Sequence, residues 1–293
     1  MFASPGDTAF SIGSFPIYYY GIIMAIALTV GVFFAAFVTK KYYLELNPDI
    51  IYNIAPIVII SALLGARIYY CLLNYSYYTQ NLIEIFDIRQ GGISIHGAIL
   101  GGLIGGIIYA KKHKLPVLKL CDIFSYGLIL GQAIGRWGNF FNSEAFGTPT
   151  ESFLKLYIPI YKRPLEYMQY SYFHPTFLYE SVLDVCIFLI LFFVVRKLVT
   201  KKSSDVTLNS IQGRIGERPC DAETSSARRE RYDGIVFFSY LILYSIVRIL
   251  IEQIRIDSVL NIFGVPIAQI VSGVIILISI VAIFVIRLKN ESS

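Results

Sequence analysis

The sequence predicts an all-α membrane protein with seven transmembrane helices, and three observations support that prediction. Hydrophobic residues make up 56% of the 293 residues and charged residues only 15%, whereas soluble domains are about 25% charged. The mean hydropathy is +0.63. Apolar segments of about 20 residues, the length that spans a bilayer, recur along the whole chain. The composition therefore excludes a soluble enzyme, a disordered chain, a collagen-like fibre and a nucleic-acid-binding domain.

Seven segments are long enough to be considered as spans. Two of them contain no charged residue, and four contain a few charged residues each. The remaining one, residues 93–110, is short and rich in glycine. In chain order the predicted spans are residues 18–39, 50–73, 93–110, 115–135, 177–195, 234–252 and 261–286.

The basic residues predict the orientation of these spans. Because seven spans put the two termini on opposite sides, the loops form two sets, and one set holds 17 of the 25 lysines and arginines. Positive residues remain in the cytoplasm. The N-terminus is therefore predicted outside and the C-terminus inside. No basic residue precedes the first span, and its apolar run is too long for a signal peptide, so we expect it to be retained. The 17 residues are Lys40, Lys41, Lys111, Lys112, Lys114, Lys119, Arg196, Lys197, Lys201, Lys202, Arg214, Arg218, Arg228, Arg229, Arg231, Arg287 and Lys289.

Two polar segments interrupt the single transmembrane domain, residues 1–293. Residues 136–175 fall outside the membrane in this topology, and their Gly, Asn and Pro turn signals predict a small external cap. Residues 201–231 are cytoplasmic and lack apolar periodicity, which predicts a disordered loop insertion without chemistry. Its arginines Arg228, Arg229 and Arg231 either contact anionic lipid heads or belong to a solvated loop.

The four cysteines show no paired spacing. Cys71, Cys121, Cys186 and Cys220 form no CxxC motif, so we predict neither a disulfide framework nor a zinc site. The His, Cys and carboxylate spacings give no metal-ligand set. We therefore expect no cofactor.

Ionisable residues inside predicted spans usually mark a functional site, because burying them in a bilayer is costly. Five of the spans carry such residues toward their outer ends, which predicts a shared site at the level of the outer leaflet. The alternative is a set of structural ion pairs and snorkelling side chains. Asp122 lies toward the cytoplasmic side, and we assign it a structural role. The outer set consists of Arg67, His96, Arg136, Glu180, Arg248 and Glu252.

Three of these positions suggest particular chemistry. In the sixth span, a stripe at helical spacing ends in Arg248, Glu252 and Arg255, and guanidinium groups bind phosphate bidentately. His96 opens the third span and is either a base near neutral pH or a histidine satisfied by a backbone carbonyl. The ridge of small residues that follows it favours close helix packing. These small residues are Gly97, Gly101 and Gly105.

The densest polar segment follows the fourth span. Residues 135–147 read GRWGNFFNSEAFG, with one Arg, two Asn and one Glu within nine residues. Such a segment at the interface suits a lipid head group, since arginine binds phosphate and asparagine binds hydroxyls.

These residues resemble the prolipoprotein diacylglyceryl transferase family. Residues 135–147 match its signature G-R-x-G-N-F-x-N-x-E-x-x-G at every fixed position. Residues 90–97, QGGISIHG, are similar to its Q-G-G-x-x-x-H-G segment, although Ala98 stands where a second glycine is frequent. Further matches are residues 65–67 (GAR), 174–180 (HPTFLYE), the pair Tyr20 and Gly21, and the late R-x-x-x-E-x-x-R. The resemblance covers essentially the whole chain except residues 201–231.

The resemblance implies an enzyme of the bacterial inner membrane. Its reaction is the transfer of the diacylglyceryl group of phosphatidylglycerol to the lipobox cysteine thiol of a prolipoprotein, with release of glycerol phosphate. The active site would face the outer leaflet. The partners would be phosphatidylglycerol, the prolipoprotein signal peptide and membrane lipid, with no nucleic acid. The alternative is a transporter for an anionic solute, but such proteins place their sites near the midplane and show internal repeats.

The resemblance also assigns roles to particular residues. The catalytic set is His96, Arg248, Arg136 and Tyr20, with His96 as the candidate base for the substrate thiol. Arg248 could instead lower the pKa of the thiol electrostatically. Glu252 would orient Arg248. The residues that bind phosphatidylglycerol would be Arg136, Asn139, Asn142, Glu144, Arg248 and Glu252.

Overall fold

The computed structural model describes residues 2–87, 91–197, 233–256, 261–262 and 265–291. These residues are mainly helical, and each long apolar run of the sequence becomes a helix. In chain order the α-helices are α1 (Tyr19–Tyr42), α2 (Asp49–Leu73), α3 (Tyr75–Tyr78), α4 (Ile95–Lys112), α5 (Val117–Phe141), α6 (Thr176–Leu189), α7 (Ile235–Glu252) and α8 (Ile267–Glu291). A π-helical turn, Ile190–Val195, continues α6.

Six of the described helices are long and apolar enough to cross a membrane, by length and composition. They are α1, α2, α5, α6 with its π turn, α7 and α8. Large apolar side chains such as Phe33, Leu64 and Leu277 are exposed on them, which suits contact with lipid. The predicted seventh span corresponds to α4, which has 18 residues. With its glycines, His96 and terminal lysines it is not among the six helices that meet the length and composition of a span, so the count of seven remains a prediction.

The chain divides into two compact units, and the boundaries between them fall within α1 and within α5. The first unit contains residues Met1–Phe33 and Cys121–Ser293, and the second contains Phe34–Leu120. In the first unit α7 packs against both α6 and α8, and in the second α2 packs against α4.

Small β-structures surround the polar segments of the first unit. Strand β1 (Phe2–Ala3) pairs in parallel with β4 (Leu156–Tyr157), which pairs antiparallel with β5 (Tyr172–Phe173). Two hairpins are formed by β2 (Thr8–Ile12) with β3 (Phe15–Tyr18), and by β6 (Asn261–Ile262) with β7 (Val265–Pro266). Below the three-stranded sheet lies a buried apolar cluster of Phe146, Leu156, Ile158, Phe173 and Phe177.

Asp122 caps the start of α7. Its two carboxylate oxygens accept hydrogen bonds from the backbone N–H groups of Gly234 at 2.8 Å and Phe237 at 2.7 Å. A carboxylate at a helix N-terminus satisfies unpaired N–H groups and interacts favourably with the helix dipole. The structural role predicted for Asp122 is therefore confirmed. The predicted insertion, residues 201–231, lies outside the described residues.

Candidate active site

Arg136 lies on a helix rather than in a loop. The sequence predicts that the fourth span ends at residue 135, but α5 continues to Phe141. The first half of the polar segment therefore forms the last two turns of α5, where Arg136 and Asn139 are one turn apart. Glycine at position 138 allows Tyr20 to pack against this part of α5, because a Cβ there would lie only 2.7 Å from the Tyr20 ring.

The second half of the segment turns the chain toward α6. Ser143 and Ala145 have positive φ angles of 51° and 53°, a conformation that side chains other than glycine adopt infrequently. The carbonyl of Ala145 accepts hydrogen bonds from the Thr176 hydroxyl at 2.5 Å and from the Phe177 N–H at 3.1 Å. These bonds hold the turn against the first residues of α6.

The same turn also binds the chain that follows α7. The N–H of Thr148 donates to the Ile254 carbonyl at 2.9 Å, and Gly147 forms an isolated β-bridge with Arg255. A Cβ at Gly147 would lie 2.8 Å from Ile254 Cγ2 and 3.0 Å from Thr176 Cγ2. Only glycine allows this close approach, so the glycine that ends the segment has a direct packing reason in this chain. The polar segment thus joins α5, α6 and α7.

These three elements and the chain after α7 bring three arginines together around one carboxylate. Glu180, on α6, has a side chain that is only 4% exposed. Its Oε2 lies 2.5 Å from Nη2 of Arg136 and 3.8 Å from Nη1 of Arg248, and its Oε1 lies 3.6 Å from Nη1 of Arg255. Three arginines from two helices and the chain after α7 therefore share a single buried carboxylate.

A second carboxylate completes this cluster, which we call the arginine cluster. Nη2 of Arg248 lies 2.9 Å from Oε2 of Glu252, one helical turn further along α7. Arg136 also donates from Nη2 to the Tyr244 hydroxyl at 3.3 Å. Three guanidinium groups thus lie beside two carboxylates, and the arginine side chains are only about one fifth exposed.

One donor in the cluster has no hydrogen-bond partner among the described residues. Nη1 of Arg248 is buried and makes no such bond in the described part of the chain, and the nearest oxygen of Glu180 is 3.8 Å away. A buried donor without an acceptor is costly. An anionic oxygen beside Arg248 would satisfy it, so the cluster can bind a phosphate.

The remaining predicted residues of this unit lie close to α5. Tyr20 packs its ring on Gly138. The backbone carbonyl of Asn139 accepts the N–H of Glu144 at 2.9 Å, and Nδ2 of Asn142 lies 3.5 Å from Oε1 of Glu144. The structure thus groups Asn139, Asn142 and Glu144 in the turn that follows Arg136.

His96 and Arg67 belong to the second unit. His96 is exposed in the first turn of α4, and its ring centroid lies 6.2 Å from that of Tyr69 on α2. Arg67 does not offer free donors to an anion. Its guanidinium donates to five backbone carbonyls between α3 and α4. The expectation that Arg67 takes part in a charged binding set is therefore not supported by its contacts.

Sequence reasoning missed the centre of the arginine cluster. Glu180 was expected to be one of several charges near the outer leaflet, and Arg255 was expected on the stripe of α7 as a guanidinium suited to phosphate. The sequence feature that could have indicated a role for Glu180 was its position at the end of the HPTFLYE segment. Among the described residues, no group of three or more His, Cys, Asp or Glu side chains could hold a metal ion.

The fold and the arginine cluster define a helical protein of multi-pass membrane type with a largely buried site that contains three arginines. Comparison with known proteins specifies the family. The sequence matches the profile of prolipoprotein diacylglyceryl transferase over residues 7–211 and 222–285, so the chain belongs to this family.

Named relatives agree with this assignment. The phosphatidylglycerol–prolipoprotein diacylglyceryl transferase of a Nostoc species is 41% identical over 273 residues, which cover 93% of this chain and 86% of the relative. The Synechococcus elongatus protein of the same name is 41% identical over 276 residues, or 94% of this chain and 86% of its own length. That of a Synechocystis species is 38% identical over 296 residues, which cover all of this chain and 93% of the relative.

Proposed function

We propose that this protein transfers the diacylglyceryl group of phosphatidylglycerol to the lipobox cysteine thiol of a prolipoprotein, an early step of bacterial lipoprotein maturation. The thiolate sulfur attacks the glycerol carbon that carries the phosphate ester. A C–S bond forms and the C–O bond to the phosphate breaks. The electron pair leaves with glycerol phosphate, and the thiol proton must pass to an acceptor.

The observation that carries this proposal is the arginine cluster with its unsatisfied donor on Arg248. The leaving group gains negative charge as the C–O bond breaks. Guanidinium groups held in place before reaction stabilise such charge best where water is scarce. We assign Arg136 and Arg248 to the phosphate of phosphatidylglycerol. Glu252 orients Arg248, and Glu180 holds the arginines close enough to act on one phosphate.

The polar turn after α5 supplies the rest of the head-group site. Asn139, Asn142 and Glu144 lie within one turn of chain, and we assign them to the hydroxyls of the glycerol head group. Tyr20 covers Gly138 beside Arg136, and we assign its hydroxyl to a hydrogen bond with bound substrate.

We assign the thiol proton to His96, which the family resemblance favours and whose exposed position leaves it accessible. The alternative is that Arg248 stabilises the thiolate without any base. These two accounts predict different dependences of the transfer rate on pH.

We also propose that the site lies at the outer leaflet of the inner membrane. The distribution of lysine and arginine favours an outer N-terminus and a cytoplasmic C-terminus in the inner membrane. In this orientation the arginine cluster faces the outer leaflet, and residues 136–175 form the external cap beside it. The phosphatidylglycerol and the prolipoprotein would then both reach the site from the membrane.

The reaction can be tested with purified protein, labelled phosphatidylglycerol and a lipobox peptide. We expect label on the cysteine peptide and none on its Cys→Ser version. Arg136→Ala should lower transfer at least about 100-fold, as loss of a donor to transition-state charge typically does. Arg136→Lys should recover little, because a single ammonium cannot replace the planar fork.

The matched control is Lys155→Gln, which removes a positive charge from an exposed pair with Glu151. It should transfer at the wild-type rate. Full activity of folded Arg136→Ala would exclude Arg136 from the site. Equal labelling of the cysteine and serine peptides would exclude thiol transfer itself.

A further inference from the structure

The side chain of Arg67 binds the segment between α3 and α4 to α2. Arg67 lies near the C-terminal end of α2 and is 8% exposed. Its three nitrogens donate to five backbone carbonyls in the segment between α3 and α4. The acceptors are Ile85 at 2.8 Å from Nε, Gly91 at 3.0 Å and Gly92 at 2.8 Å from Nη1, and Asp87 at 3.0 Å and Glu84 from Nη2.

This arrangement leaves the guanidinium with no donor for a phosphate. Arginine has five N–H donors in a fixed planar geometry, and five acceptors surround Arg67. The aromatic face of Tyr78 covers the same group, with the Arg67 Cζ 5.2 Å from the ring centroid. Arg67 therefore interacts with its own chain, in contrast to Arg248 with its unsatisfied donor.

Two glycines in the segment that Arg67 binds allow this contact. Gly91 and Gly92 have positive φ angles of 90° and 74°. A Cβ at Gly92 would overlap Nη1 of Arg67, whereas a Cβ at Gly91 would meet no atom within 4 Å. The guanidinium of Arg67 therefore leaves no room for a side chain at position 92.

This turn leads directly to His96. Two residues after Gly92, the N–H of Ser94 donates to the carbonyl of Ala66 at 3.1 Å, beside Arg67 on α2. Helix α4 then begins at Ile95. Gly97 packs so closely on Gly65 and Tyr69 that any side chain there would overlap α2. The backbone on both sides of His96 is thus fixed to α2.

We infer that Arg67 is a positioning residue for His96: by binding five backbone carbonyls between α3 and α4 it fixes where α4 begins and so where the imidazole lies. This inference rests on the proposed role of His96 in accepting the thiol proton. A displacement of about 1 Å in a reacting group can cost about 100-fold in rate. Lysine cannot substitute, because three donors on one nitrogen cannot reach five separate carbonyls.

The first test is a double-mutant cycle of Arg67→Lys with His96→Gln. Arg67→Lys should lower kcat about 10- to 100-fold and leave KM for phosphatidylglycerol within about twofold. In the His96→Gln background the same change should lower kcat less than about twofold. The rates are compared at about pH 7, where a peptide thiol with a pKa of about 8.5 is mostly protonated and depends on a base. At about pH 9, where the thiol ionises without a base, the effect of Arg67→Lys should shrink.

Arg163→Lys is the matched control, since Arg163 also donates to backbone carbonyls, those of Ile158 at 2.8 Å and Met168 at 3.1 Å. It should leave the His96-dependent part of the rate unchanged. If the fold-reductions in kcat caused by Arg67→Lys and His96→Gln multiply in the double variant, the inference is wrong. So would a rise in KM for phosphatidylglycerol at constant kcat, because Arg67 would then bind lipid.

A second pair of variants tests the same contact with Arg67 intact. Gly92→Ala and Gly91→Ala both place a side chain at a positive φ, but only the former intrudes on Arg67. We expect kcat of Gly92→Ala to be at least about tenfold below that of Gly91→Ala. Equal activity of the two variants would overturn the inference. No effect of His96→Gln would overturn the assignment of His96 as the base, and with it this inference. Absence of transfer by the wild-type protein would instead overturn the proposed function.

Discussion

Glu180 is the residue on which the arginine cluster depends. Its carboxylate lies within 4 Å of guanidinium nitrogens of Arg136, Arg248 and Arg255. With the carboxylate only 4% exposed, water cannot replace it. Removing one partner of a buried ion pair leaves charge uncompensated, and here it would leave three like charges together. The acid is therefore needed both for stability and for the placement of the two phosphate-binding arginines.

Glu180→Gln should lower the free energy of unfolding by about 3 kcal/mol. It should also reduce transfer at least about tenfold, because the repelled arginines move apart. Thermal unfolding in detergent and the peptide assay measure the two effects. Glu151→Gln is the matched control, since its side chain is 85% exposed in a pair with Lys155 and such pairs contribute about 0–1 kcal/mol. Similar behaviour of the two variants would contradict the central role of Glu180.

His96 can be tested by the pH dependence of transfer. If His96 accepts the thiol proton, His96→Gln should lower the rate about 100- to 10,000-fold near neutral pH. Raising the pH past the ordinary thiol pKa of about 8.5 should restore part of the rate, because the thiolate then forms without a base. The measurement is transfer rate against pH at saturating peptide.

His113→Gln serves as the control for this prediction. His113 follows the last residue of α4 and stacks on Tyr109 with a centroid distance of 4.2 Å, so its replacement should leave the pH profile unchanged. Parallel profiles for the wild-type and His96→Gln proteins would discard His96 as the base. Thiolate stabilisation by Arg248 would then be the better account.

The sequence predicted some of these residues better than others. Arg136, Arg248 and Glu252 could be found because they occupy fixed positions in recognisable motifs or a helical stripe. The role of Arg67 could not, since its partners are backbone carbonyls, which any sequence offers equally. The central position of Glu180 depends on three arginines that approach it from distant parts of the chain, and no local pattern records that geometry.

At the scale of helices, glycines determine how closely α2 and α4 approach. A Cβ at Gly101 would overlap the carbonyl of Ser61 on α2, and one at Gly97 would overlap that of Gly65. Small residues allow membrane helices to pack by backbone contact. The predicted packing role of Gly97, Gly101 and Gly105 is therefore confirmed, and it keeps α4 in register with the helix that carries Arg67.

Gly101→Ala should destabilise the protein by about 1–3 kcal/mol, because the methyl group forces α4 away from Ser61. Gly273→Ala on α8 is the control, since a Cβ there meets nothing within 4 Å, and alanine favours a helix by about 0.5–1 kcal/mol over glycine. Unfolding temperatures in the same detergent should move in opposite directions. A stabilised Gly101→Ala protein would contradict the packing shown here.

The helices were more predictable than their ends. Apolar runs of about 20 residues located each long helix among the described residues, since the bilayer length and the backbone's need for hydrogen bonds restrict such runs to helices. The end of α5 was misplaced by six residues because Gly135, Gly138 and Asn139 resemble turn signals. Tertiary contact with Tyr20 requires the glycine at 138, and that contact is invisible in the local sequence.

At the scale of the whole molecule, the family relationship and the predicted insertion agree. The family match leaves out residues 212–221, which lie within the predicted insertion. The insertion connects the end of α6 to the start of α7, whereas Glu180 lies near the start of α6 and Arg248 near the end of α7. At 1.5 Å per residue, about 20 Å of helix separates each charged residue from the insertion. The chemistry should therefore be independent of it.

Replacement of residues 203–230 by a few glycines and serines should leave kcat and KM within about twofold of wild type. Lys201 and Lys202 are kept because positive residues next to a span set its orientation, and Asp122 still caps α7 through Gly234 and Phe237. A second variant that also lacks these two lysines separates topology from chemistry. It should reduce the amount of active protein in the membrane without changing the rate per active molecule. A large loss of activity in the first variant, at an equal protein level, would show that the insertion contributes to transfer.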